Sequence, residues 1–447
     1  MPPAMPSAVP HLLVIGGGFA GLACVRGLAC APLRITLVDR ANHHLFQPLL
    51  YQVATAGLSA PDIAAPLRHI LRHQRNVQVL MGQVDGIDVQ ARTVHLAGTL
   101  AAQTLCYDYL AVASGATHAY FGHAAWAAHA PGLKTLDDAL LIRRRLLLAF
   151  ERAESARSAQ ERRALLHFAI VGGGPTGVEL AGTLAEIARH TLRNEFRQFD
   201  SRQASVRLIE AGPSLLASFP TALQLCARAQ LEALGVEVCC GTPVQDINGQ
   251  GYCLGHQFVP CCTVLWAAGV AASPLGKLLA APLDRAGRVL VNPDLTLPGH
   301  PEVFVAGDLV AVSRPDGRPV PGVAPAAKQM GSYLANNLRA RLAGRLAGRQ
   351  PRPFVYADQG NLATIGRMAA VVDLGRLQFS GLLAWWFWLG AHVFFLIGFR
   401  NRLSVLLNWA LAYWTYQRGA RIVLGDDAGV HAPPWAATQE QTDADPK

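Results

Sequence analysis

The feature that most constrains this chain is a glycine-rich turn that occurs twice. Val14-Ile15-Gly16-Gly17-Gly18-Phe19-Ala20-Gly21 lies near the start, and Ile170-Val171-Gly172-Gly173-Gly174-Pro175-Thr176-Gly177 repeats it downstream. Each is an apolar strand running into G-x-G-x-x-G and then into a helix of small apolar residues. In such a pattern the first glycine (Gly16, Gly172) permits the tight turn and the second (Gly18, Gly174) lets backbone approach a pyrophosphate. The third (Gly21, Gly177) packs helix on strand, so that phosphate meets a helix N-terminus. An acid ends the next strand of each unit. Asp39 stands at about the usual ~20-residue interval, where a carboxylate accepts hydrogen bonds from an adenosine ribose. Glu210 follows Gly177 at a longer interval, and an added helical segment over 189–202 is the expected cause. Because a carboxylate repels a 2′-phosphate, Glu210 favours NADH over NADPH. One such turn is weak evidence, but two with their acids imply two dinucleotides and electron transfer between them.

The rest of the composition narrows the class. At 447 residues, two or three compact units are expected. Only 15% of residues are charged against 51% hydrophobic, which fits an α/β protein with much buried or membrane-facing surface. The net charge of +9 comes mainly from arginine and accompanies no nucleic-acid motif, so a membrane ranks first as partner, pyridine nucleotide second, and nucleic acid is not expected. Nine cysteines without C-x-x-C spacing argue for a reducing compartment and against a redox-disulfide enzyme; Cys239-Cys240 and Cys261-Cys262 read as small buried hydrophobes. His43 and His44 have no carboxylate or cysteine partner nearby in sequence, so no metal is expected. The first ten residues lack a basic n-region, so a cleaved secretory signal is not expected.

Between the turns, Asn42 to Gln52 is too polar for core and too apolar for an exposed loop, the mark of a pocket lining that makes Gln47 and Pro48 candidates for cofactor contact. The stretch 77–94 reads as a β-meander. Tyr107 to Ala116 is a strand ending in small residues, Ser114 and Gly115, which allow close backbone approach to a ligand; Ala268 and Gly269 do the same after the strand beginning at Cys262. The helical pattern over 135–163 suggests a crossing between domains. Val303 to Asp308 is a strand delivering Gly307 and Asp308, and in a flavin reading Asp308 accepts from ribityl hydroxyls. A helix then runs to about Leu342. The expected fold class is therefore α/β: two Rossmann-like dinucleotide-binding domains, the second inserted in the first, plus a C-terminal amphipathic helical membrane-binding region. The boundaries are 9–134 and 285–350 for the first domain, 135–284 for the insert, 351–424 for the C-terminal region and 425–447 for a disordered tail.

The run from Gly381 to Phe399 carries no formal charge and approaches the ~20 residues of a membrane span. Five tryptophans (Trp385, Trp386, Trp388, Trp409, Trp414) crowd there, followed by Arg400, Arg402, Arg418 and Arg421, a density that suits a bilayer interface. A helical pair lying in one leaflet is favoured, with a spanning helix and a buried dimer seam as alternatives.

The two turns, the Phe46-Gln47-Pro48-Leu49-Leu50-Tyr51-Gln52 segment, the Gly307-Asp308 strand, the helix start at Ala324 to Gly331 and the Trp-rich C-terminus together resemble the bacterial type II NADH dehydrogenases. The resemblance spans roughly Val9 to Leu424, and its most specific parts are the FQPLLYQ segment and the C-terminus. It implies a single-subunit, non-proton-pumping NADH:quinone oxidoreductase with non-covalent FAD, transferring hydride from NADH to FAD and then two electrons and two protons to a membrane quinone, ubiquinone or menaquinone. It further implies a homodimer bound to a lipid bilayer surface, peripheral on the cytoplasmic face of a bacterial inner membrane. By matched position, Gly16, Gly18, Gly21 and Asp39 would hold the ADP part of FAD and Asp308 its ribityl chain, while Gly172, Gly174, Gly177 and Glu210 would hold NADH. Glu179 matches an acid near the nicotinamide, and Gln329 a glutamine that faces the quinone; where relatives often carry a second glutamine this chain has Pro325. The rival readings are a sulfide:quinone oxidoreductase, which would need cysteines near the flavin, and a non-catalytic flavin redox sensor or scaffold.

Overall fold

The structure, a computed structural model, describes residues 9–97, 103–345, 351–415 and 417–423; the expected disordered tail lies outside them. Two compact units are each assembled from separated stretches. The first takes residues up to Leu45, Ala64–Thr117 and Val270–Gln359; the second takes Phe46–Ile63, His118–Gly269 and the chain from Gly360 onward.

In the first unit, six strands form one sheet in the order Thr296–Leu297, His300–Val305, Tyr109–Val112, His11–Ile15, Arg34–Asp39, Val77–Met81. All neighbours are parallel except the first pair. His11–Ile15 is buried throughout, as expected for a central parallel strand covered on both faces. The helices Phe19–Gly27 and Ala324–Leu342 pack closely, and a Cβ on Gly331 would overlap the Ala20 carbonyl. Val77–Met81, expected in the meander, is instead the sheet's outer strand. The meander is Gln83–Asp88, Thr93–Ala97 and Gln103–Cys106.

The second sheet runs Val236–Cys240, Ser205–Glu210, His167–Val171, Thr263–Trp266, all parallel. Its sequence falls between Tyr109–Val112 and His300–Val305 of the first sheet. Trp126, Val171, Ile209, Tyr252 and Trp266 belong to a buried cluster of this unit. The 135–163 pattern resolves into two helices, Leu136–Glu154 and Ala159–Leu165, because Thr135 and Ser158 each cap a new start. The expected helix over 189–202 is not formed. Helix Pro175–Glu186 closes in one π turn, Ile187–Thr191, after which Asn194 adopts a left-handed φ of +64° and only Ser201–Gln203 makes a short 3₁₀ turn.

Also in the second unit, a three-stranded antiparallel sheet, Asn361–Gly366, Ala369–Asp373 and Gln378–Ser380, lies against helix Pro175–Glu186. Gly182 makes this possible, since a Cβ there would overlap the Ile365 carbonyl. Helices Leu382–Phe395 and Phe399–Thr415 follow, with Gly398 at φ +90° between them. Among the described residues no helix is long and apolar enough to cross a membrane. The tryptophans divide by role: Trp385, Trp388 and Trp409 are buried, while Trp386 and Trp414 are 61% and 90% exposed. Exposed beside them are Leu383, Phe394, Phe399, Leu407 and Leu411. Of the two cysteine pairs only Cys261 is buried; Cys239, Cys240 and Cys262 are intermediate, and no cysteine is paired among the described residues.

Candidate active site

The two glycine turns have the same hydrogen-bond scheme. Gly16 N–H donates to the Val38 carbonyl at 2.8 Å and Gly172 N–H to the Ile209 carbonyl at 2.7 Å, tying each turn to the strand beside it. Leu22 N–H to the Gly18 carbonyl and Val178 N–H to the Gly174 carbonyl, both 3.0 Å, close the first helical turns. Across the other neighbour, Ala113 N–H donates to Ile15 (2.8 Å) and Ala267 N–H to Val171 (2.7 Å). Each first glycine is obligatory: Gly16 has φ +102° and abuts the Ala113 carbonyl, and Gly172 has φ +115° and abuts Ala267. A Cβ on Gly21 or Gly177 would fall on the carbonyl oxygen of Gly16 or Gly172. By contrast Gly18 and Gly174 have no atom within 4 Å of a would-be Cβ. The open space lies at the middle glycine, beside the helix N-terminus, a geometry that suits a pyrophosphate.

The two acids are clamped alike. Asp39 accepts from Gly17 N–H at 2.6 Å and Ala41 N–H at 2.7 Å; Glu210 accepts from Gly173 N–H and Gly212 N–H, both at 2.6 Å. One backbone bond per carboxylate oxygen fixes the group and leaves lone pairs for a ribose diol. Near the first turn, Gly115 (φ +68°) is also open and the Ser114 hydroxyl is buried without a partner. His44, buried, is bonded through Nδ1 to the Gly17 carbonyl at 2.9 Å, and its Nε2 has no partner. Gly307 adopts φ +78° and lies near Ala20 and Ala327, and the Asp308 carboxylate faces Gly322. A turn, an open cradle and orphaned polar atoms therefore converge in the first unit. Gln47 and Pro48 belong to the second unit, where the Gln47 amide donates to the Lys134 carbonyl at 3.0 Å. The rest of their segment is less pocket-like than the sequence suggests: Phe46, Leu49, Leu50, Tyr51 and Gln52 are all buried.

Glu179 lies on helix Pro175–Glu186, one residue beyond its first turn. It is buried, and burial pushes its carboxyl well above the usual range, opposed by a backbone hydrogen bond from Thr364. Burial likewise pushes the Tyr51 hydroxyl up, and the Glu179 carboxyl adds to the rise. A polar network behind Tyr51 has no obvious sequence signature. The Trp409 indole donates to Gln52 Oε1 at 2.7 Å and the Gln52 amide to the Tyr51 hydroxyl at 2.9 Å, while Asp62 accepts from Ser404 Oγ at 2.6 Å and Asn408 at 3.3 Å. Arg418, inside the same unit, lies 3.4 Å from Glu186. Apart from the neighbours Tyr51 and Gln52, these partners are far apart in the chain, so no local pattern could have revealed them. In the first unit, Gln329 exchanges two hydrogen bonds with the Ala357 backbone, both 2.9 Å, and Pro325 occupies the first turn of its helix. Among the described residues no cluster of histidine, cysteine and acids suits a metal ion.

Comparison with known proteins identifies the family. Residues 10–331 match the model described as pyridine nucleotide-disulphide oxidoreductase, and residues 359–415 the one described as NDH2 C-terminal domain. Type II NADH:quinone oxidoreductase Ndh of Mycobacterium tuberculosis is 44% identical over 439 residues, covering 96% of this chain and 93% of the relative. The chain belongs to the type II NADH:quinone oxidoreductase family. A second type II enzyme of that organism, NdhA, is 43% identical over 93% of this chain and 90% of its own. The mitochondrial internal alternative NAD(P)H-ubiquinone oxidoreductase A1 of Arabidopsis thaliana is 30% identical, with 90% and 84% covered. NDH2 of Plasmodium falciparum, solved in complex with NADH, superposes with a TM-score of 0.86 at 19% identity, over 93% of this chain and 100% of that one. The sulfide:quinone oxidoreductase of Aquifex aeolicus reaches 0.69 at 18% identity, over 90% and 95%. At those identities the structures attest the fold alone; the type II assignment rests on the sequence relatives and the C-terminal match.

Proposed function

We infer that this type II family member is a non-proton-pumping NADH:quinone oxidoreductase that carries FAD. The observation that carries the reading is the duplicated turn, each copy with an open middle glycine and a carboxylate clamped by two backbone amides. FAD, when bound, supplies a two-electron carrier that takes hydride from NADH and passes two electrons to the quinone. The residues of the first unit fit it: Gly16, Gly18 and Gly21 would cradle the pyrophosphate, Asp39 would hold the adenosine ribose, Ser114 would offer its unpartnered hydroxyl beside Gly115, and Asp308 beside Gly307 would take the ribityl chain. In the second unit Gly172, Gly174, Gly177 and Glu210 hold NADH, with Ala268 and Gly269 giving close backbone approach. FAD is assigned to the first unit and NADH to the second, which moves 46–63 and 118–134 out of the expected 9–134 and 270–284 out of the expected 135–284; 351–424 is assigned to membrane association.

Glu179 keeps its proton to higher pH than an exposed glutamate, because burial disfavours its anion. It serves as a proton-holding group near the nicotinamide. Gln329 faces the quinone, ubiquinone or menaquinone, and must release the Ala357 backbone if its amide is to bind a quinone carbonyl. A quinone is dissolved in lipid, so the exposed row of Leu383, Trp386, Phe394, Phe399, Leu407 and Trp414 is assigned to a bilayer surface, the enzyme lying peripherally on the cytoplasmic face of a bacterial inner membrane as a homodimer. The test is steady-state oxidation of NADH by the FAD-loaded enzyme with a short-chain quinone. Turnover that requires quinone is expected; turnover with sulfide in place of NADH would replace this reading with the sulfide:quinone one.

A further inference from the structure

Phe121 combines two unfavourable features that its own contacts do not explain. Its backbone lies in the left-handed region, φ +48°, where a bulky side chain is strained. Its ring is also 68% exposed. The segment that carries it is nevertheless firmly placed. The Trp266 indole donates to the Ala119 carbonyl at 2.9 Å, Ala119 N–H donates to the Gly269 carbonyl at 3.2 Å, and the Phe121 ring centroid lies 6.2 Å from that of Trp266. Gly269 has no side chain where the ring lies: a Cβ there would be 2.5 Å from Phe121 Cζ and 3.0 Å from Cε2. A strained, exposed aromatic held over a glycine is a device for presenting a ring face, and strain of this kind gathers at ligand sites.

Its position says which part of a ligand it meets. The strand order places Ser205–Glu210 and Thr263–Trp266 on opposite sides of His167–Val171, so the sheet order reverses at the glycine turn, where doubly wound folds bind ligands outside the strand carboxyl ends. Glu210 ends one flanking strand, and the Ala267-Ala268-Gly269 segment leaves the other and abuts Gly172. A dinucleotide whose adenosine ribose is held by Glu210 and whose pyrophosphate crosses the turn therefore directs its nicotinamide riboside toward Gly269. We propose that Phe121, seated over Gly269, is a nicotinamide-side contact that stacks on the planar end of the nucleotide and sets affinity for the dinucleotide over its ADP-ribose fragment. The proposal rests on the NADH reading of the second turn.

The test uses oxidised, FAD-loaded enzyme and two probes, NAD⁺ and ADP-ribose, which share everything but the nicotinamide. Phe121→Ala is expected to weaken NAD⁺ binding about fivefold or more with ADP-ribose affinity unchanged, and to raise KM for NADH in parallel; Phe121→Tyr restores both. Phe121→Gly suits the left-handed backbone, so its Tm should equal or exceed wild type while it binds like the alanine variant, which separates stacking from folding. Equal losses for both probes, or no loss for either, would overturn the proposal. A wild-type enzyme that binds neither probe would overturn the NADH reading itself.

Discussion

A single methyl group decides whether either nucleotide turn can form. Gly177 has no space for a Cβ because the Gly172 carbonyl fills it, and Gly21 stands in the same relation to Gly16. Gly177→Ala should therefore raise KM for NADH about tenfold or more, a loss of roughly 1.4 kcal/mol, while flavin absorbance stays at wild-type stoichiometry; Gly21→Ala should lose the flavin instead. Spectra of the purified variants separate the two, and loss of flavin from Gly177→Ala would contradict the division of labour between the turns. Glu179 makes a different prediction. Burial raises its folded-state pKa well above the ordinary 4.5, so the folded state binds more protons than the unfolded one above that pH. Stability is then present in full below about 4.5 and declines as pH rises toward the folded value. Glu179→Gln, which cannot ionise, should gain in Tm relative to wild type as pH is raised through that window; a pH-independent difference would mean that the carboxyl is not desolvated.

Among the elements, the helix Phe399–Thr415 shows most plainly what was legible in the sequence and what was not. Its existence and that of Leu382–Phe395 follow from the uncharged run 381–399 and the Trp- and Arg-rich stretch after it, although that run suggests one helix as far as Phe399, where the structure begins the second helix instead; the glycine turns and their acids follow from spacing alone, because the chemistry there is local. The fastening of Phe399–Thr415 is not local. Asp62 holds Ser404 and Asn408, and Gln52 holds Trp409, pairs whose separation in sequence hides them. For the same reason three tryptophans that suggest a membrane interface prove to be buried packing, and Val77–Met81 joins the parallel sheet rather than the meander, since pairing partners decide a short strand's role. The segment 189–202 is not helical for a local reason, the left-handed Asn194, an asparagine stop signal within the helical pattern. Asp62→Ala leaves the half-buried Ser404 and Asn408, and with them the Ser59 amide and hydroxyl, without their acceptor, at a cost of about 1–3 kcal/mol. Limited proteolysis should then cut in or near Phe399–Thr415 sooner than in wild type, while NADH binding is retained. Unchanged protection would show that the fastening is not what holds this helix.

At the scale of the whole molecule, the proposed relay joins a water-soluble donor to a lipid-soluble acceptor, and it assigns the lipid side to the exposed apolar row of the C-terminal helices. Replacing Leu383 and Trp414 together by lysine should strongly reduce co-sedimentation with anionic vesicles, because each charge opposes insertion into the hydrocarbon region. Flavin content should be unaffected; undiminished sedimentation would direct attention to a subunit seam instead. The relay from NADH to quinone is tested most directly by one anaerobic experiment. Purified, detergent-held enzyme is mixed with NADH, NADPH or sulfide while flavin absorbance is followed, and a short-chain quinone is then added. Rapid bleaching by NADH, slower bleaching by NADPH as Glu210 dictates, and recovery on quinone are expected. Bleaching by sulfide alone, or by no donor, would contradict the relay.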